Sequence, residues 1–270
     1  MARSCRLLGV SRQALYQQSK RDEAKAEHLK PVLARVQEVR RTLPQLGTRK
    51  LHHMLKPELK ILNIKLGRDG LFTLLRQHQL LVKPKRSYTK TTYSKHWMRK
   101  HPNLLHEKTI QKSETVFVSD ITYVESMQGV HYLSLVTDAF SRKIMGYELS
   151  HNMKASDTLK ALQMAIKNRQ TKRPLIHHSD RGSQYCSELY QECLRKHGIR
   201  PSMTDGYDCY QNALAERING ILKQEFLLYK CQTFDDLDSL IAESIYSYNE
   251  MRPHLSLEMQ TPNDVHKKAS

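Results

Sequence analysis

The sequence predicts an α/β protein: a mixed five-stranded sheet with flanking helices, preceded by small all-α, helix-turn-helix-like domains. Three observations lead there. Up to about residue 82 the apolar residues recur at helical spacing between Pro and Gly breaks, and from residue 116 the pattern changes to that of strands. Charge divides in the same region: residues 1–113 hold 26 Lys+Arg against 7 Asp+Glu, whereas residues 114–270 hold 18 against 20. The segments read from this are 1–43, a helical region with a partial helix-turn-helix; 44–82, a second such unit; 83–113, a basic aromatic linker; 114–230, an α/β domain; and 231–270, a C-terminal helix and tail.

A chain of 270 residues with a net charge of +17 has room for two or three domains. One-sided charge on the first segments adds self-repulsion that a polyanion offsets, and nucleic acid is the usual one. No apolar run approaches the ~18 residues of a membrane span, and no signal-peptide pattern opens the chain, so membrane spanning and secretion are excluded. Five cysteines without a C-x-x-C pair point to free thiols in a reducing compartment and away from a structural zinc site.

At the N-terminus, Gly9 permits a tight turn and Ser11 caps a helix carrying Arg12 and Gln13, a helix-turn-helix grammar that an ordinary helical hairpin shares. Val32, Leu33, Val36, Val39 and Leu43 follow helical spacing after Pro31, which suits a first helical turn, and Pro44 and Gly47 end that helix. A second helix begins at Thr48 and buries Leu51, Met54 and Leu55. A third begins near Gly67, buries Leu71, Leu74, Leu75 and Leu80, and turns Arg68 and Arg76 outward. Residues 83–101 then carry seven basic residues, Lys83, Lys85, Arg86, Lys90, Lys95, Arg99 and Lys100, with no acid, and interleave Tyr88, Tyr93 and Trp97. Such a strand can follow a phosphate backbone and stack on bases, although Trp97 can equally dock on the next domain.

The strings V-F-V-S-D-I-T-Y-V, V-H-Y-L-S-L-V-T-D-A and R-K-I-M-G-Y-E-L read as three strands, with Gln128-Gly129 and Ser141 at their turns. A helix (155–169), a strand (174–178), a helix (183–197), a strand (199–203) and two helices (211–227 and 234–250) follow. Hairpin strands leading into alternating helix and strand are compatible with a ribonuclease-H-like domain.

Three acids stand in unusual places. Asp120 interrupts the first apolar strand, Asp180 ends a later one, and Glu216, separated from Asp180 by 35 residues, lies inside a helix. This strand order can gather them at one sheet edge. Clustered carboxylates repel, and divalent cations relieve the repulsion, so the cluster is a candidate site for two Mg2+ ions acting on a phosphodiester. Asn212, Glu216, Asn219 or Gly220, and Lys223 share one helical face, which makes Lys223 and Asn219 candidate DNA contacts. Asp138 is a rival first acid, but Ser141 and Arg142 beside it favour a local turn role. Asp205 and Asp208 suit turn chemistry, and His177 and His178 suit hydrogen-bonded core positions.

The strings V-S-D-I-T-Y-V, H-H-S-D-R-G-S-Q-Y, N-A-L-A-E-R-I-N-G-I-L-K-Q-E and Y-N-E-M-R-P-H-L-S-L-E-M-Q-T-P, with G-V-S-R-Q-A-L-Y and T-T-Y-S-K-H before them, span nearly the whole chain. Together they resemble the DDE transposases of bacterial insertion sequences, second-frame products with a retroviral-integrase-like core. The resemblance implies a catalytic and metal-binding triad of Asp120, Asp180 and Glu216, with Lys223 as the basic residue seven places on. It implies Mg2+, with Mn2+ able to substitute, and double-stranded DNA as substrate, both terminal inverted repeats and target. It also implies a homo-oligomer on DNA, an upstream-frame helix-turn-helix partner on which a chain starting at Met1 depends, and a location in the bacterial cytoplasm at the nucleoid. Gln211 departs from the acid expected before Asn-Ala, and Arg252, Pro253 and His254 match without a derived role, packing and DNA contact both being open. Two other readings carry the same residues: a stand-alone nuclease, and an inactive sequence-specific DNA-binding protein.

Overall fold

The computed structural model describes residue 9 and residues 11–83, 97–106, 109–205 and 212–269. The chain forms two compact units, Met1–Val82 and Lys83–Ser270.

The first unit is helical. Helix α1 (Arg12–Thr42) starts at Ser11, whose Oγ accepts the Ala14 N–H at 3.0 Å, and Gly9 before it takes φ +67°. The expected start at Pro31 is corrected: Pro31 lies inside α1. A proline removes one backbone bond, but residues 11–28 are exposed and rich in helix-forming side chains joined by short-range pairs such as Gln18–Asp22 and Glu27–Lys30. The helix therefore runs through. Its buried Val32, Val36 and Val39 pack with α2 (Thr48–Ile61), which in turn packs on α3 (Arg68–Gln77). Arg35 reaches Glu58 of α2 at 2.7 Å, and Arg40 donates to the Leu80 carbonyl at 2.6 Å. Position 43 lies within this unit, not at its edge.

The second unit is built on a five-stranded sheet in the order β3-β2-β1-β4-β5. Strands β1 (Val116–Ser126), β2 (Gly129–Asp138) and β3 (Ile144–Ser150) are antiparallel, while β4 (Ile176–Ser179) runs parallel to β1 and β5 (Arg200–Met203) parallel to β4. The first turn falls at Met127-Gln128, one residue earlier than expected, and Gly129 opens β2 at φ +131°. Both faces of β1 are covered, so its apolar run is nearly continuous instead of alternating. Phe117 and Ile121 join Leu162, Tyr190 and Leu194 from α4 (Ala155–Lys167) and α6 (Glu188–Lys196); Val116 and Val118 join Ile176 and Ala215 on the other face. Gly146 of β3 is required by the approach of α4, because a Cβ there would stand 2.2 Å from the Ala161 carbonyl oxygen.

The expected helix 183–197 is two: α5 (Ser183–Cys186) and α6, separated at Ser187, whose extended backbone and Oγ cap the second. The helix expected over 211–227 is α7 (Ala213–Ile221) continued by a π turn over Leu222–Phe226. Helix α8 (Phe234–Glu250) opens with a Thr233–Asp236 capping box, and a helix not foreseen, α9 (Pro262–Ala269), buries His266 beside Glu114 and Ser141. Among the described residues no helix is long and apolar enough to cross a membrane.

Candidate catalytic site

The register of β1 on β4 builds the site. Val116 pairs with Ile176 and Val118 with His178; Asp120 follows Val118 by two residues within β1, and Asp180 follows His178 by two, just past the end of β4, where its charge acts on Asp120. The face of Val116 and Val118 is the one α7 covers through Ala215, and Glu216 is the next residue of the helix.

Asp120 and Glu216 each feel the Asp180 charge. Asp120 is partly exposed, yet its pKa is raised to about 7, first by burial, then by the Asp180 charge, with Glu216 adding to it. The Ile121 N–H and the Asn219 amide oppose this rise; Asn219 Nδ2 donates to Asp120 Oδ2 at 2.7 Å. Glu216, exposed on α7, is raised by desolvation and by Asp180. Asp180 turns back on its own loop, where Oδ1 accepts the Gly182 N–H at 2.9 Å. Lys223, half-buried on the π turn, is lowered by burial, while the Asp120 and Glu125 charges hold its proton on. The three carboxylates thus lie within electrostatic reach, Asp180 acting on both others and Glu216 on Asp120, and among the described residues no three His, Cys, Asp or Glu side chains are already gathered as a metal-holding group. Mutual repulsion keeps uncompensated carboxylates apart.

The donor set suits a hard divalent cation: carboxylate oxygens whose charged forms are disfavoured by one another, and which a cation would relieve. Asn219 Oδ1 beside them is buried without a hydrogen-bond partner, as is the Tyr185 hydroxyl, whose proton the charges of Asp180 and Asp120 help retain.

The rival residues have structural partners. Asp138 is fully buried; its Oδ1 accepts the Ser141 N–H at 2.8 Å and its Oδ2 the Glu114 N–H at 2.7 Å. His177 bonds Ser119 Oγ at 2.7 Å and the Tyr190 hydroxyl at 2.8 Å, and His178 bonds Ser202 Oγ at 2.8 Å. Both histidines are core groups. Arg252 is 1% exposed and grips Glu225 of the π turn at 2.8 and 2.5 Å. That resolves the open choice for Arg252 toward packing.

Of the candidate DNA contacts, Arg12, Arg68, Arg76, Lys83, Trp97, Arg99 and Lys100 are exposed, and Asn219 is buried against Asp120. Lys85, Arg86, Lys90 and Lys95, like Asp208 and Gln211, lie outside the described residues. Sequence reasoning placed Asn219 on the DNA and missed its bond to Asp120, although its position three residues after Glu216 on the same face was the available signal. It also missed Arg181, which follows Asp180 directly and pairs with Asp205 at 3.7 Å.

Residues 111–209 match one family described as integrase core domain, and residues 197–262 match a second of the same description. Over 270 residues the chain is 34% identical to a 31 kDa protein of insertion element IS600 from Shigella sonnei, covering 98% of this chain and 97% of that one. It is 37% identical over 152 residues to the transposase InsF for insertion sequence IS3A of Escherichia coli, covering 56% of this chain and 53% of the relative. A chain of the simian T-cell lymphotropic virus intasome, solved in complex with PP2A regulatory subunit B56 gamma, superimposes with a TM-score of 0.51 at 19% identity, covering 82% of this chain and 74% of that one. At that identity the likeness is one of fold.

The class so defined is that of polynucleotidyl transferases with an integrase core on a ribonuclease-H-like sheet. The chain belongs to the integrase-core family of insertion-sequence transposases, and its function is DNA transposition. The nuclease and inactive-binder readings are not favoured by these relatives.

Proposed function

We propose that Asp120, Asp180 and Glu216 are the DDE triad of this transposase and that the reaction is nicking at the element's ends followed by transfer of the freed 3′-hydroxyl to target DNA. What supports the reading most is the Asp120 carboxyl, raised to about 7 by burial and by the Asp180 charge, the two acids each following the Val118–His178 pair of β1 and β4 by two residues. Two Mg2+ ions, for which Mn2+ substitutes, supply Lewis acidity at the attacking and leaving oxygens when bound.

The chain's own groups do the rest. Asp120 offers its oxygens from β1, Asp180 from the loop that follows β4, and Glu216 offers the third carboxylate from α7. Asn219 orients Asp120 through the 2.7 Å bond and favours its charged form. Lys223 holds its proton beside these acids and binds a non-bridging phosphate oxygen of the DNA, since phosphoryl transfer depends mainly on positioning and charge stabilisation.

Arg12, Arg68, Arg76, Lys83, Lys85, Arg86, Lys90, Lys95, Trp97, Arg99 and Lys100 bind the terminal repeats and flanking DNA. The working form is a homo-oligomer on DNA, joined to an upstream-frame helix-turn-helix protein at the bacterial nucleoid. The test is a strand-transfer assay with labelled element ends, target DNA and Mg2+ or Mn2+. Asp120→Asn, Asp180→Asn and Glu216→Gln each abolish nicked and joined products while end binding persists; full activity in any one removes that residue from the triad.

A further inference from the structure

The stretch after the basic linker is fastened to the second unit. Met98 packs against the core that contains Phe117 and Tyr185. The His101 N–H donates to Met203 Sδ at 3.5 Å, the Met203 N–H to the Pro102 carbonyl at 3.4 Å, and the Leu104 N–H to Ser202 Oγ at 2.9 Å. Residues 98–104 therefore run along β5, the edge strand beside β4. Met203 is paired with Ser179, one residue before Asp180, and the Cys186 thiol meets the same Met203 sulfur at 3.7 Å. Lys100 is thereby brought to the rim of the acidic site together with Arg181. The Cys186 thiol, pushed up to about 11 by burial and by the Asp180 charge, feels both cations in the opposite sense.

At the head of this strap, Trp97, the chain's only tryptophan, is 93% exposed. Tryptophan normally buries most of its large apolar surface. Here it stands in solvent next to a fastened segment, with the exposed cations Arg99 and Lys100 following it. A π face presented with positive charge suits nucleic acid whose bases are unstacked, because a paired duplex keeps its base faces covered.

We propose that Trp97, Lys100 and Arg181 form a docking surface for an unpaired DNA end at the rim of Asp180: the indole stacks on an unpaired base, and the two cations hold the phosphates on either side of it. The inference rests on the transposase reading only for the reason such DNA is there.

Because Trp97 is the only tryptophan, its emission reports on this site alone. The full chain, carrying Asp120→Asn to suppress cleavage, is titrated at low salt with fluorophore-labelled oligonucleotides of one sequence, either blunt or with an unpaired fork at one end. Tryptophan emission and DNA anisotropy are read together. The forked DNA is expected to bind about tenfold tighter and to quench the emission, in keeping with the range for stacking on one base. Trp97→Ala removes the preference in the anisotropy measurement and Trp97→Phe retains most of it, whereas Lys100→Ala and Arg181→Ala weaken forked binding. Equal affinity for the two DNAs, absent quenching, or a fork preference that survives Trp97→Ala overturns the proposal. If Asp120→Asn itself proves active in strand transfer, the triad reading falls and the docking surface stands; if the fork preference is absent while Asp120→Asn is inactive, only the docking surface falls.

Discussion

Asp120 carries the largest electrostatic burden at the site, and its proton can be followed. A carboxyl whose pKa is raised on folding holds its proton more tightly in the folded state. Its contribution to stability is therefore full below the ordinary value of 3.8 and is lost as pH rises through about 7. In the absence of divalent ions, thermal unfolding followed from pH 5 to pH 8 should show falling stability in the wild-type chain and a flatter profile in Asp120→Asn; parallel profiles would remove the burial and repulsion invoked here. Asn219→Ala takes away the bond that favours the ionised form. The rising limb of the pH–activity curve should then move to higher pH, while Asn219→Asp, which adds a charge beside Asp120, moves it further. Asp120, Asp180 and Glu216 could be named as candidates from the sequence because each is an acid within or at the end of an apolar string. For Asn219 only the face was legible, three residues after Glu216, since helical spacing does not name the atom to which an amide points.

At the scale of elements, most boundaries could be read from turn and cap chemistry. Ser11 and Thr48 start helices where expected, and Thr42 ends one just before Pro44. The failures were also local. Pro31 looked like a beginning because first-turn prolines are common, but a proline inside an exposed helix with favourable neighbours costs one bond and need not end it. Ser187 divides α5 from α6 because its hydroxyl caps the second helix, a choice that periodicity alone does not reveal. Two elements here hold the site in place and can be tested. Gly146→Ala drives a methyl into the α4 backbone at 2.2 Å, and a loss of at least ~1–3 kcal/mol is expected in denaturant unfolding. Arg252 anchors the π turn that carries Lys223 through its bonds to Glu225. Arg252→Ala leaves Glu225 without that partner and should cost about 3–5 kcal/mol, while Arg252→Met, which also removes the pair but fills the space, should lose less.

Across the whole molecule, charge and chemistry are divided along the chain. The basic residues crowd into the first 113 positions, and the three acids lie in the near-neutral remainder. Binding to element ends should accordingly be strongly salt-dependent, weakening by roughly 10³–10⁵ between 50 and 200 mM salt if about 6–10 phosphates are neutralised, as measured by anisotropy. A flat response would show that the charge does not serve DNA. The class of fold was legible because the strand strings differ so plainly from the helical ones, whereas the order of the strands in the sheet came from the structure. Helix α9 was not, because its eight residues carry little apolar periodicity and its place is set by one buried histidine meeting Glu114 and Ser141 across the fold.

On the proposed reading, Glu216 joins Asp120 and Asp180 as a ligand of the divalent ions. Anomalous diffraction from crystals of the full chain grown with Mn2+ tests it most directly. Manganese is expected between Asp120 and Asp180, with a Glu216 oxygen in the coordination sphere and loss of that density in Asp120→Asn. Manganese bound elsewhere, or bound at Asp120 and Asp180 with Glu216 turned away even when DNA is present, would contradict it.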